Sequence, residues 1–171
     1  MKYLEDKVKE VKSLDSRYAL FGTLFLLSNQ LETVGSSFLG ELTAKQWFLL
    51  VVLGTFFKEP PSIRELSEWM GTSHQNVKQL AVKLEQKGYV TIARDERDNR
   101  ILRVSATSKA DEFEREYHES NERFIGKLYQ NVSEMEVAAA FSTLARLSGN
   151  LEEISEALLR QKKVSEKGGG L

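Results

Sequence analysis

Two short stretches concentrate the side chains able to do chemistry. The first is Ser73-His74-Gln75-Asn76-Val77-Lys78-Gln79, with Lys83 further along the same segment. The carboxamides of Gln and Asn each carry donors and an acceptor, so either can bond adenine bidentately, while Lys can reach guanine or a phosphate. The second is Asp95-Glu96-Arg97-Asp98-Asn99-Arg100, acids and arginines set between two β-like runs at 90–93 and 101–106. A guanidinium suits the strong negative potential of a narrow minor groove. An aspartate beside it can pair with it, hold its fork in one direction and lower the ordering entropy lost on binding. In this reading Asp98 orients Arg100, and Arg97 takes a phosphate. A polar helix face alone could equally be a solvated surface, and a charged hairpin alone could carry scattered ion pairs. The hairpin directly after the helix is what points both at a duplex.

Other chemistries find little support. Cysteine is absent, which removes disulfides, thiolate metal sites and thiol redox switches. His118 with Glu114 or Glu122 supplies too few metal ligands, and the other histidine, His74, sits in the polar stretch just described. No nucleophile–base set, phosphate loop or isolated acid pair stands out, so neither an enzyme nor a bound cofactor or metal is expected. The 171 residues are 41% hydrophobic and 29% charged, as in a globular protein. The charged first residues lack the apolar core of a signal peptide, and the greasiest segment, 18–27, is too short to span a membrane. A cytoplasmic, non-membrane protein is the expectation. The net charge of −1 hides an asymmetry: residues 72–109 hold eight Lys/Arg against four acids, +4, and the remainder carries −5. A basic middle in an acidic whole suits a face presented to a polyanion.

The elements that must position these groups are mostly helical. Residues 14–36 place Tyr18, Phe21, Leu24, Phe25, Leu31 and Val34 on one stripe. Thr43 and Gln46 form a capping box opening an apolar helix to about Phe56, and Pro60-Pro61 stop it. Ser62 and Glu65 open a short helix with Ile63, Leu66 and Trp69 or Met70 inward, ending at Gly71. Ser73 then caps a helix that buries Val77, Leu80, Ala81 and Leu84 and stops at Gly88. After the hairpin at 89–106, Thr107 caps a charged helix to about Asn131. Ser133 and Glu136 open the last helix, to about Lys163, and 164–171 read as a disordered tail. The fold class is mainly α with a small β-wing: a winged helix-turn-helix flanked by long N- and C-terminal helices. Its expected parts are 1–41, 42–110, 111–163 and the tail.

Residues 42–110 resemble the MarR family of winged-helix transcriptional regulators. The resemblance lies in "LTAKQWFLL", "IRELSEWMGTSHQNVKQLAVKLEQKGYV", the wing pattern D-x-R-D-x-R as "DERDNR", and "ILRVSATSKA". Ala110 departs from the pattern where many members have glycine, which puts little in doubt. The resemblance implies that Ser73 to Gln79 read a major groove, that Asp98 and Arg100 are the wing pair, and that the chain acts as a homodimer, a repressor on a pseudo-palindromic duplex. In the last helix Val137, Ala140, Leu144, Leu147, Leu151, Ile154 and Leu158 alternate steps of three and four, a coiled-coil-like seam. Phe21 and Phe25 are expected to share that intersubunit core, although part of the seam could pack on the first helix of the same chain. The resemblance further implies a small aromatic effector, for which Tyr18, Trp47, Phe48, Phe56 and Phe57 could line a pocket or simply be core. The competing class is a winged-helix module that binds protein and not DNA.

Overall fold

The computed structural model describes residues 15–168, with side chains described as far as 162. These residues form α1 (Ser16–Phe38), α2 (Ala44–Phe56), α3 (Ile63–Trp69), α4 (His74–Gln86), β1 (Val90–Arg94), β2 (Leu102–Ala106), α5 (Ser108–Leu128) and α6 (Glu134–Gly168). The fold is a winged helix: mostly helical, with β1 and β2 pairing antiparallel from Val90↔Ala106 to Arg94↔Leu102. The chain divides into two compact units, Met1–Glu116 and Tyr117–Leu171.

In the first unit, capping chemistry sets the helix starts. Thr43 Oγ1 accepts the N–H of Gln46 at 3.2 Å while Gln46 Oε1 accepts the N–H of Thr43 at 3.1 Å. Ser62 and Glu65 repeat the exchange at 3.2 and 2.7 Å. Such reciprocal pairs satisfy donors that no helical carbonyl can reach. Gly71 and Gly88 adopt φ +59° and +79°, the left-handed region a Cβ disfavours; one makes the turn between α3 and α4 and the other ends α4. The apolar stripes then converge. Leu49 and Val52 of α2, Ile63 and Leu66 of α3, Val77, Ala81 and Leu84 of α4, and Val90 and Val104 of the strands are each no more than 2% exposed. Full burial of one such aliphatic side chain stabilises by roughly 1.5–3 kcal/mol. Tyr89 and Phe113 meet edge to face at 5.5 Å and tie the start of α5 to this core.

Four details differ from the sequence expectation, each for a local reason. The third inward residue of α3 is Ser67, because 63, 66 and 67 make the i, i+3, i+4 stripe. Trp69 falls beside that stripe and stacks on Phe56, and Met70 is half-buried. Thr107 does not cap α5 with its side chain; its hydroxyl donates back to the carbonyls of Gly88 and Tyr89 at 2.7 and 3.1 Å. Ile101 belongs to the loop and not to β2, since its N–H donates to Asp98 O and its carbonyl accepts from Asp95 N. Leu80 is half-buried at the margin of the α4 stripe. One feature had no sequence pattern: residues 60–62 join the outer edge of β2 through a Ser62↔Arg103 bridge and a Val104 N–H to Pro61 O bond of 2.9 Å.

Helix α1 starts at the Asp15 cap and buries none of its residues. Phe21 and Phe25 pack edge to face at 5.1 Å yet are 60% and 61% exposed. In the second unit, Asn131 takes φ +64° ahead of α6, and Ser133 and Glu136 form the expected box. Every described side chain of α6 is exposed, the seven seam positions included. Helix α6 continues to Gly168, past the expected end at Lys163. The expected tail is therefore helical as far as that residue, and 169–171 lie outside the described residues. Among the described residues no helix is long and apolar enough to cross a membrane.

Candidate nucleic-acid interface

Burial on one side of α4 decides what shows on the other. With Val77, Ala81 and Leu84 inward, the 3.6-residue period leaves His74, Gln75, Asn76, Lys78, Gln79 and Lys83 exposed. Ser73, also exposed, accepts the Asn76 N–H at 3.2 Å, so its oxygen serves the helix cap. The Asn76 carboxamide donates to Thr72 Oγ1 at 3.2 Å. That bond fixes the amide while its oxygen and second N–H remain for another partner. The first turn of α4 is thus a capped, oriented set of donors and acceptors.

The loop between β1 and β2 carries the three wing residues expected there. Asp98 Oδ1 accepts both the backbone N–H and Nε–H of Arg100, at 3.0 and 3.1 Å, and Oδ2 accepts from Nη2 at 3.1 Å. The guanidinium holds the Asp98 carboxyl below the usual carboxylate range, and the carboxylate pushes the guanidinium up. Arg100 stays 91% exposed. Of its five N–H donors Asp98 engages two, which leaves three directed away from the pair. Arg97 is exposed, with its backbone N–H on Asp95.

Sequence reasoning missed the group that organises this loop. Asp95 Oδ1 accepts the N–H of Arg97 and of Asp98 at 2.9 and 3.0 Å, and Oδ2 accepts Arg103 Nε–H at 2.8 Å. The Arg103 hydrogen bond first, and the two backbone N–H groups after it, lower the Asp95 pKa from 3.8 to about 2. Arg103 Nη1 also donates to Pro60 O at 3.1 Å and Glu65 Oε2 at 3.2 Å. A separate tie runs from the Ile92 N–H to Glu85 Oε1 of α4, at 2.8 Å. No local spacing announces these partners, because Asp95 lies in the loop just past β1, Arg103 lies on β2 and Glu65 belongs to α3.

The basic segment therefore sorts into two groups. Arg103 is held as described. Lys87 donates to the Glu41 carbonyl and to Gln46 Oε1. Lys109 donates to Lys87 O at 3.0 Å, lies 3.8 Å from the Glu41 carboxylate and sits over the Tyr89 ring at 4.4 Å. Tyr89 in turn donates its hydroxyl to Glu41. These three cations fasten the fold. Lys78, Lys83, Arg94, Arg97 and Arg100 stay exposed, Arg94 with one N–H on the Asn99 carbonyl at 3.1 Å, and are the charges a polyanion would meet.

The five aromatics read as pocket candidates are not equally placed. Phe56 stacks on Trp69 at 4.1 Å and Phe57 meets the same ring edge-on at 6.1 Å. Trp47 is half-buried, Phe48 is 43% exposed and Tyr18 is 70% exposed. Trp69, absent from the expected set, is the residue that gathers two of them. A cavity of about 310 Å³ is lined by Thr43, Gln46, Leu80, Lys83, Gln86 and Lys87. Another, of about 720 Å³, lies between the wing and residues 59–60. Neither uses the five aromatics. Among the described residues no cluster of His, Asp or Glu is arranged to hold a metal ion.

Residues 41–101 match the sequence model of the MarR family. Solved structures share the fold. A MarR/EmrR family transcriptional regulator from Acinetobacter sp. ADP1 is 17% identical with a TM-score of 0.70, over 82% of this chain and 99% of that one. FabT of Streptococcus pneumoniae, solved in complex with DNA, is 20% identical with a TM-score of 0.58, over 82% and 99%. The PcaV transcriptional regulator of Streptomyces coelicolor, solved with its natural ligand, is 18% identical with a TM-score of 0.62, over 72% and 89%. No protein of curated function matches the sequence significantly.

Proposed function

We propose that this chain, whose residues 41–101 match the MarR family model, is a MarR-type regulator: a cytoplasmic homodimer that binds a pseudo-palindromic duplex sequence-specifically and represses transcription. One observation carries the reading: a capped helix start with exposed His74, Gln75, Asn76, Lys78 and Gln79 is followed by a wing whose Arg100 is forked onto Asp98 yet 91% exposed. The helix offers the donor–acceptor pairs a major groove can read, and the wing offers a guanidinium suited to a narrow minor groove. The role is regulatory and not catalytic, as for the transcriptional regulators whose fold it shares.

Assembly follows from α6. Val137, Leu144, Leu147, Leu151, Ile154 and Leu158 are between 37% and 64% exposed, and apolar residues repeated at steps of three and four favour a helix of a second copy. Two copies would present two α4 helices and two wings to half-sites about one helical turn apart. Release by a small aromatic ligand completes the proposal; Trp47, Phe48, Phe56 and Phe57 supply aromatic surface, and PcaV offers the precedent of a ligand-bound relative by fold. The test is a titration of the chain against duplexes from its own upstream region and against random duplex, at several salt concentrations. The reading expects tighter binding to one upstream duplex and an affinity that falls steeply with salt. A protein-binding module would show no salt-dependent association with either.

A further inference from the structure

We propose that Arg103, with Asp95 and Glu65, forms a latch that holds the wing against the helix-turn-helix, making these three positioning residues for the duplex contact of Arg100. The inference rests on the DNA-binding reading above but assigns residues that reading does not use. By charge alone Arg103 would be one more phosphate ligand. Its surroundings say otherwise, since Nε is held by Asp95 and Nη1 by both Pro60 O and Glu65. Two of the guanidinium's three nitrogens are committed within the chain.

The connection can be followed bond by bond. Arg100 is forked onto Asp98, whose own N–H donates to Asp95 Oδ1. The other oxygen of Asp95 accepts from Arg103. Arg103 passes the tie to Glu65 Oε2, the same oxygen that accepts the Ser62 N–H in the cap of α3. Helix α3 packs on α4, which carries the base-reading face. A two-stranded ribbon alone is marginally stable in water, so the direction of its tip depends on tertiary ties of this kind. The latch therefore sets where Arg100 lies relative to Gln75 and Asn76, and a duplex must meet both at once.

Glu65→Gln is the discriminating substitution. Gln keeps the capping geometry of α3 and removes a negative charge, so a plain basic surface would bind duplex more tightly. The latch requires the reverse, a loss of about three-fold, the scale of one exposed charged contact. Arg103→Gln should weaken binding by about five-fold or more with an unchanged salt slope, because no phosphate contact is lost. In an Arg100→Ala background the same change should cost less than about two-fold, since the contact it positions is already gone. Hydrogen exchange of the DNA-free chain gives an independent reading: Arg103→Gln should accelerate the amides of Arg97, Asp98 and Ile101 and leave those of Ala81 and Leu84 unchanged. Wing exchange that stays slow overturns the latch whatever the DNA result. Tighter binding by Glu65→Gln, or a fully additive Arg103–Arg100 cycle, overturns the positioning role. Accelerated wing exchange in a chain that binds no duplex at all overturns the DNA reading, and the positioning role with it, while leaving the latch as a structural tie.

Discussion

Removing Asp98 should weaken DNA binding although it removes a negative charge. In the structure its two oxygens take three hydrogen bonds from Arg100, at 3.0, 3.1 and 3.1 Å. Exposed ion pairs usually hold their partners by a factor of about five at most, and a chelated fork sits at the upper end of that range. Releasing the fork in Asp98→Ala should therefore cost up to about five-fold in affinity per wing, and the square of that for a dimer using both. Against this stands the loss of one carboxylate's repulsion towards the phosphates. Across roughly one Debye length of salty water that gain is less than about two-fold. Orientation outweighs charge, and the net effect should be weaker binding. Asp98→Asn should fall between, because a carboxamide oxygen can still accept the Arg100 backbone N–H but cannot bind the cationic fork from both sides. Fluorescence anisotropy on a labelled duplex at physiological salt measures this. Tighter binding by Asp98→Ala would refute the orientation argument and leave the wing a plain basic loop.

Replacing Leu144 and Leu151 together with Glu should convert a dimer into a monomer or an unfolded chain; a stable dimer in sedimentation would place the interface elsewhere. Gln75→Ala or Asn76→Ala should cost about 1–3 kcal/mol on the cognate site and little on random duplex, whereas Lys83→Ala should weaken both alike and reduce the salt slope by about one. Leu84→Ala opens a cavity where the residue is fully buried and should lower stability by about 2–5 kcal/mol in denaturant titration. Asp95, lowered to about 2 by Arg103 and two backbone N–H groups, contributes stability that is present above its ordinary value near 3.8 and is lost as the pH falls towards 2. Wing amide protection should thus hold from neutral pH to about 4, decline below it, and show no such acid step in Asp95→Asn.

What the sequence made legible was whatever repeats or caps locally. The three capping boxes, the Val77, Ala81 and Leu84 positions of the α4 stripe and the Asp98–Arg100 pair two residues apart all depend on neighbours along the chain, and all stand in the structure. Interactions across strands or between helices left no such trace. Asp95 and Arg103 read as two more charges in a charged run, and only the hairpin register brings them within 2.8 Å. Lys87 and Lys109 counted towards a basic patch, yet the Glu41 carbonyl and carboxylate draw them into the fold. Helical period offers Trp69 or Met70 as the third inward residue of α3; on so short a helix the inward stripe is already filled by Ile63, Leu66 and Ser67. Local chemistry set the exposed polar start of α4 and the Asp98–Arg100 pair, and tertiary contacts decided which cations remain exposed.

The central claim is that α4 and the wing of two copies read one duplex together. Hydroxyl-radical footprinting of the protein on the upstream duplex it binds best tests this directly. Two-fold symmetric protection of the sugar backbone is expected, in blocks about one helical turn apart, with flanking protection across the minor groove that disappears in Arg100→Ala. Protection confined to a single unsymmetrical stretch, or flanks unchanged in Arg100→Ala, would contradict it.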